Sequence, residues 1–241
     1  MKTTLISIIL LTCLVAQSTA AEFEKDTFTS KGGKEFTITF IKHGTLMFNI
    51  GEYTIHIDPL TQYADYATLP KADLILITHT HHDHFDKKAL AATEKNETVI
   101  IGNEVAVKEL GKGVALKNGL THQLTDWLKV DAVPAYNNSP GKENYHPQGR
   151  DNGYVIDIDG TLVYIAGDTE DIPEMDHLKN VEIAIIPVNQ PYTMSIEQAV
   201  RAARLIRPRI LYPYHYGNSK VENIKEELKE TSIEVRIRQM Q

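Results

Sequence analysis

Asp73-Leu74-Ile75-Leu76-Ile77 runs straight into Thr78-His79-Thr80-His81-His82-Asp83-His84. The first stretch is apolar and β-branched, which predicts a buried strand. Behind the cluster, Asp86 is placed to N-cap a helix through Lys87, Ala89, Leu90 and Ala92. The histidines therefore occupy the carboxyl end of a strand, in the turn that feeds a helix, where open α/β sheets place their ligand sites. Four imidazoles and a carboxylate within six residues are more than packing requires. Imidazole nitrogen and carboxylate oxygen suit zinc, iron or manganese. An affinity tag would look similar, but tags sit at termini and carry no Asp between apolar flanks.

Residues 2–20 carry Lys2, an apolar run from Leu5 to Ala16, and Ser18-Thr19-Ala20. This is the pattern of a signal peptide cut after Ala20, with 21–241 as one hydrolase-sized domain, and it predicts an exported protein, periplasmic or secreted. The run is too short to span a bilayer comfortably, so no stable membrane anchor is expected once it is removed. Cys13 invites a lipoprotein reading, but Leu-Leu-Thr-Cys has Thr where a smaller residue is usual. Cleavage would remove the only cysteine, leaving neither disulfides nor thiolate ligands. The remaining chain, about 220 residues, suffices for one large core. The net charge of −7 becomes −8 without Lys2, and no basic block suggests a nucleic-acid groove.

Segments 36–41, 46–50 and 53–57 read as an antiparallel meander around Gly44 and Gly51-Glu52. Pro59 stops the third strand and leaves Asp58 at its end, either orienting the His cluster from behind or capping a turn. His43, beside Gly44, is placed to border a pocket, whereas His56 reads as a strand-face residue. Strand and helix then alternate through 98–110, as in a layered α/β half. Strands are expected at 128–135, 153–158 and 162–166, with Asp159-Gly160 as a hairpin turn. The polar loop between them, 136–152, is long enough to be functional and carries His146 as a ligand candidate. Asp168 leaves an apolar strand beside Gly167. A buried strand at 181–187 leads to Asn189–Met194, and Ser195 with Gln198 forms a capping box for a helix reaching Ile206. His215 emerges from a strand at 209–212, before a Lys/Glu-rich helix (221–230) and a last strand (233–237).

Ile57-Asp58-Pro59, Thr78-His79-x-His81-x-Asp83-His84, Tyr164-x-Ala166-Gly167-Asp168-Thr169, Tyr192-Thr193-Met194 and Pro213-Tyr214-His215-Tyr216 fall in one order along nearly the whole mature chain. In that order they resemble the metallo-β-lactamase superfamily, and more closely its small single-domain hydrolases, the branch containing the L-ascorbate-6-phosphate lactonase. The resemblance implies an α+β fold, a four-layer αββα sandwich with a metal site at one sheet edge. It implies that His79 and His81 hold one metal, that Asp83, His84 and His215 hold a second, that Asp168 bridges both, and that Asp58 supports the cluster. The family's further His for the first metal falls near Pro134-Ala135-Tyr136-Asn137, where this chain has none. Either His146 swings in, or Asn137 or water takes the place; His146 is favoured.

The ligand set implies two divalent ions, Zn2+ with Mn2+ or Fe2+ as alternatives, lowering the pKa of a bridging water. The hydroxide would attack a carbonyl or phosphoryl centre of a small-molecule substrate, with Tyr192 helping the oxyanion and Asp83 or Asp168 protonating the leaving group. A lactone, ester, amide or phosphodiester is expected. The absence of a Cys ligand from the mature chain argues against antibiotic hydrolysis. A non-catalytic exported zinc-binding protein is the alternative, and an iron oxidoreductase a distant third. Nothing in the sequence bears on oligomeric state.

Overall fold

The computed structural model describes residues 23–241; the predicted signal peptide, residues 1–20, lies outside the described residues. Two seven-stranded sheets follow chain order without a single crossover in position. The first comprises β1 (Glu24–Thr29), β2 (Glu35–Lys42), β3 (Thr45–Ile50), β4 (Tyr53–Ile57), β5 (Leu74–Ile77), β6 (Val99–Gly102) and β7 (Val114–Ala115). The second comprises β8 (Thr121–Thr125), β9 (Leu128–Ala135), β10 (Asp151–Ile158), β11 (Thr161–Ile165), β12 (Val181–Pro187), β13 (Ile210–Tyr214) and β14 (Glu234–Val235). Each sheet begins with three antiparallel pairings and continues with three parallel ones, so the two halves share one topology. No residue identity betrays this repeat in the sequence.

Parallel neighbours need crossover segments, and the helices lie in them. Helices α1 (Lys87–Thr93) and α2 (Glu104–Leu110) serve the first half, α3 (Ile196–Ile206) and α4 (Glu222–Glu227) the second. Asp86 caps α1 by accepting from the backbone N–H groups of Lys88 and Ala89. Ser195 and Gln198 cap α3 reciprocally, and its Ala199, Val200, Ala202, Ala203 and Ile206 are buried. A cap of this kind is worth about 1 kcal/mol. The strand β5 explains why the sequence there shows no alternation. Leu74 and Leu76 enter the core between the sheets, while Ile75 and Ile77 pack with Leu90 and Ala106 under the helices. A strand covered on both faces reads as one apolar run. The main core draws on Ile38, Phe48 and Ile55 from one sheet and Tyr154, Ile156 and Ile185 from the other. The architecture is the metallo-β-lactamase fold, two sheets face to face with helices outside.

Three elements differ from expectation. The edge strand β1, EKDTFT, is polar and mostly exposed, so no hydrophobic period announces it. Its Asp26 crosses to the second sheet, accepting from Arg238 Nη2 at 2.6 and 2.7 Å, and Tyr212 Oη also donates to it. The last helix and strand are shorter than 221–230 and 233–237. The Asp159-Gly160 turn forms as read, with φ of +50° and +84°. Among the described residues, no helix is long and apolar enough to cross a membrane.

Candidate metal centre

Every candidate ligand leaves the end of a strand or a loop at the same end of the sandwich. Asp58 follows β4, the His cluster follows β5, Asp168 follows β11 and His215 follows β13. Asp58 adopts φ +43°, a backbone state that Asp tolerates better than most side chains. Fully buried, it accepts from Thr78 N–H at 2.8 Å, from the Thr78 hydroxyl at 2.5 Å and from His84 Nδ1 at 2.8 Å. These bonds fix the first turn of the cluster and leave His84 Nε2 to face inward, where it lies 3.4 Å from Asp168 Oδ1. Gly44 is required here, because a Cβ would stand 2.5 Å from the His84 ring. Gly167, at φ +64°, lets the chain turn Asp168 into the site against the Asn152 carbonyl.

Asp168 is the hub. Its carboxylate lies 3.4 Å from His84 Nε2, 3.4 Å from His146 Nε2, 3.4 Å from His215 Nε2 and 3.9 Å from His79 Nε2. Around it the ligand atoms fall into two groups, His79 with His81 and His146, and Asp83 with His84, His215 and His43, and a third of His79, His84 and Asp168 joins them. His79 Nε2 and His81 Nδ1 are 3.1 Å apart. His215 Nε2 lies 3.4 Å from Asp83 Oδ2. His82 instead projects into solvent, its side chain 97% exposed.

The loop after β9 brings in His146. Thr169 Oγ1 accepts from Tyr136 N–H at 3.1 Å, and Glu170 Oε2 accepts from the N–H groups of Asn138 and Ser139 at 2.9 and 2.6 Å. Asn137 N–H donates to the His146 carbonyl at 2.9 Å. The loop is thus fastened to the two residues that follow Asp168. Asn137 spends its amide on the Tyr192 carbonyl at 2.8 Å, bracing two loops. Glu170 escaped the sequence reading; an acid directly after Gly-Asp-Thr was its only signal.

His43 stands closer to the chemistry than bordering a pocket implies. It occupies a two-residue turn between β2 and β3 at φ +56°. Its Nε2 is 3.2 Å from Asp83 Oδ2, its ring centroid 3.6 Å from that of His215, and its carbonyl accepts from His215 N–H at 3.1 Å. His56 lies elsewhere: buried in β4, it bonds the Pro70 carbonyl at 2.9 Å, and burial lowers it to about 4.

The electrostatics suit cation binding. Burial, reinforced by neighbouring imidazoles, holds His79 well below its usual value, and burial lowers His81 too, so both are neutral donors near pH 7. Burial alone would also lower His84, but Asp168 and Asp58 outweigh it and raise it to about 9. Burial would raise Asp83 and Asp168; the imidazoles around them prevail and keep both ionised. His84 Nε2, both His146 nitrogens, Asp168 Oδ1 and His215 Nε2 are buried with no hydrogen-bond partner. Orphaned donors and acceptors of this kind are rare in a folded interior unless something occupies the space between them. The residues fit divalent cations.

Beside the clusters lies a cavity of about 390 Å3 lined by His81, His82, Asp83, Tyr145, His146, Asp168, Asn189, Tyr192 and His215. Tyr192, the expected oxyanion donor, lies on its rim, 48% exposed.

Comparison with known proteins agrees with this geometry. Residues 37–215, from β2 to His215, match the model of the beta-lactamase superfamily domain. A UPF0173 metal-dependent hydrolase of Nanoarchaeum equitans is 34% identical over 67% of this chain and 75% of its own length. One from Thermus thermophilus is 31% identical over 75% of this chain and 83% of its own. Among solved structures, a chain from Parabacteroides distasonis, provisionally named a metal-dependent hydrolase, is 57% identical with a TM-score of 0.90, covering 91% of this chain and 100% of that one. The metallo hydrolase Igni18 of Ignicoccus hospitalis is 26% identical with a TM-score of 0.69, covering 83% and 93%. A fold of two like halves, a cluster of buried imidazoles and carboxylates facing one another, and relatives named for metal-dependent hydrolysis together place the chain in the metallo-β-lactamase superfamily, within its UPF0173 metal-dependent hydrolase family.

Proposed function

We propose that this metal-dependent hydrolase is an exported, dinuclear zinc enzyme that opens a lactone, ester, amide or phosphodiester bond. The observation that carries the reading is Asp168, one carboxylate with four imidazole nitrogens within 3.9 Å. His79, His81 and His146 would hold one ion, Asp83, His84 and His215 the other, with Asp168 shared. The donor set is nitrogen and oxygen without thiolate, which suits zinc, with Mn2+ or Fe2+ as alternatives. Metal bound there supplies a water acidified towards neutrality and an electrophilic pole for the substrate oxygen.

The chain's own groups do the rest. Asp58 keeps His84 in the tautomer whose Nε2 is free to ligate. Asp83 and Asp168, ionised and adjacent to the cavity, are placed to take a proton from water and return it to the leaving group. The Tyr192 hydroxyl, on the rim, is placed to donate to developing negative charge. The likeness to the lactonase branch supports a cyclic ester among the substrates. Export rests on the pattern of residues 2–20 and is tested by locating the mature N-terminus in cell fractions.

The functional test is a panel of lactones and phosphodiesters assayed on zinc-loaded protein with and without chelator. Hydrolysis that chelator abolishes and Asp168→Ala eliminates is expected. Metal-replete protein inert on every class would favour a zinc-binding protein without turnover.

A further inference from the structure

The outer wall of the cavity is built from two tyrosines of separate loops. Tyr145 comes from the loop after β9 and Tyr192 from the loop after β12, with ring centroids 5.1 Å apart and planes at 74°. They are 37% and 48% exposed, among the few large hydrophobic side chains of the described residues that are open to solvent. The pair is held in place before any ligand arrives. Asn137 ties its loop to the Tyr192 carbonyl, Lys142 Nζ donates to Gln190 across the same seam, and Gln198 Nε2 lies 3.5 Å from Ser139 Oγ. Asn189 completes the lining on this side, with the exposed His82 at its solvent edge.

Among the described residues, no Lys or Arg lines this cavity. The flanking cations already have carboxylate partners, and Arg150 Nη2 also lies 3.4 Å from His81 Nε2 at the inner edge of the cavity. Arg150 gives Nε and Nη2 to the Asp151 carboxylate at 2.8 and 2.7 Å, and Nη2 also to the Tyr145 carbonyl at 3.0 Å. Lys142 faces Gln190 and Glu170. An anionic group lying against the outer wall would give up part of its water and meet no cation without a carboxylate partner, which disfavours it. A flat uncharged group would meet two aromatic rings in a fixed edge-to-face arrangement, which favours it.

We propose that the site takes an uncharged carbonyl compound, an ester, lactone or amide, whose flat apolar group lies against the Tyr145–Tyr192 wall. The hydrolase reading supplies which bond is cut; the wall supplies which compound fits. The two are separable by experiment. Binding to the zinc-loaded full chain is measured by calorimetry for 3,4-dihydroquinolin-2-one, for δ-valerolactam, which lacks the fused ring, and for the dihydroquinolinone carrying a ring carboxylate. Turnover is measured separately on dihydrocoumarin.

The fused ring is expected to tighten binding about tenfold, and the carboxylate to reverse that gain. Tyr145→Leu and Tyr192→Leu should each erase most of the preference, while Tyr192→Phe keeps it, because the ring rather than the hydroxyl makes the wall. Equal affinity for the two lactams, a preference that survives both leucine substitutions, or tighter binding of the carboxylate would overturn the proposal, whatever the turnover. Intact preference without turnover of dihydrocoumarin would uphold the wall and count against the hydrolase reading instead.

Discussion

Asp58→Asn changes one oxygen to an amide and nothing in volume, so its effect isolates what the carboxylate does. Asp58 Oδ2 serves both the Thr78 hydroxyl and His84 Nδ1, and Oδ1 serves Thr78 N–H. In the variant the amide oxygen can keep Thr78 N–H, but an NH2 then faces His84 Nδ1. Two donors cannot share that contact. His84 relieves it by moving its proton to Nε2, the nitrogen that faces Asp168. A protonated Nε2 has no lone pair to offer a metal. Loss of an orienting partner of this kind lowers metal affinity about 10- to 100-fold, roughly 1.4–2.8 kcal/mol. The substitution also lowers the proton affinity of His84, which titrates near 9 in the native site and so competes with metal at lower pH. The comparison is therefore made at pH 9 and above, where that competition is weakest. Zinc affinity is read by chelator competition and folding by thermal melting of the metal-free chain. Affinity within twofold of wild type in a folded variant would refute the orienting role.

Three other perturbations test separate parts. His43→Ala removes the group beside Asp83 Oδ2 and the ring against His215; one of two zinc sites should weaken about tenfold, and unchanged competition curves for both ions would dismiss His43 as an orienter. Glu170→Gln weakens the clamp on Asn138 and Ser139 and should speed amide exchange across 137–149 with a loss of about 1–2 kcal/mol of stability; exchange rates equal to wild type would show the loop is held by other means. Asp26→Ala cuts the tie between β1 and the second sheet and should cost about 2 kcal/mol at pH 7, roughly 4–8 °C in Tm. Burial would raise the Asp26 carboxyl, but Arg238, Tyr212 and Arg236 hold it below its usual value. Its stabilisation is therefore present above the unfolded-state value of about 3.9 and fades as pH falls through the lower folded-state value. A difference in Tm that did not shrink at all as pH falls below about 3.9 would contradict that origin.

Much of the site was legible because its ligands announce themselves locally. The run Asp73–Ile77 into the His cluster gave both the strand and the end that carries the candidate ligands, and the caps Asp86 and Ser195 placed their helices within a residue. What stayed hidden depends on contacts between distant segments. His146 was favoured over Asn137, but what brings it over Asp168 is a set of bonds from Thr169 and Glu170, more than twenty residues later in the chain. His43 carried no signal beyond a neighbouring glycine, because its meaning lies in the rings of His84 and His215 around it. The edge strand β1 has charged and polar residues on both faces and owes its place to Arg238 and Tyr212 at the far end of the chain. The duplication of topology is invisible in residue identity because backbone pairing, not side chains, repeats.

Native mass spectrometry of the zinc-loaded full chain, with metal counted per molecule, bears most directly on whether these side chains form a two-ion engine. Two ions per chain are expected, falling to one or none in Asp168→Ala while the apoprotein stays folded. A chain that holds no zinc at micromolar free metal, or that keeps both ions without Asp168, would contradict the account.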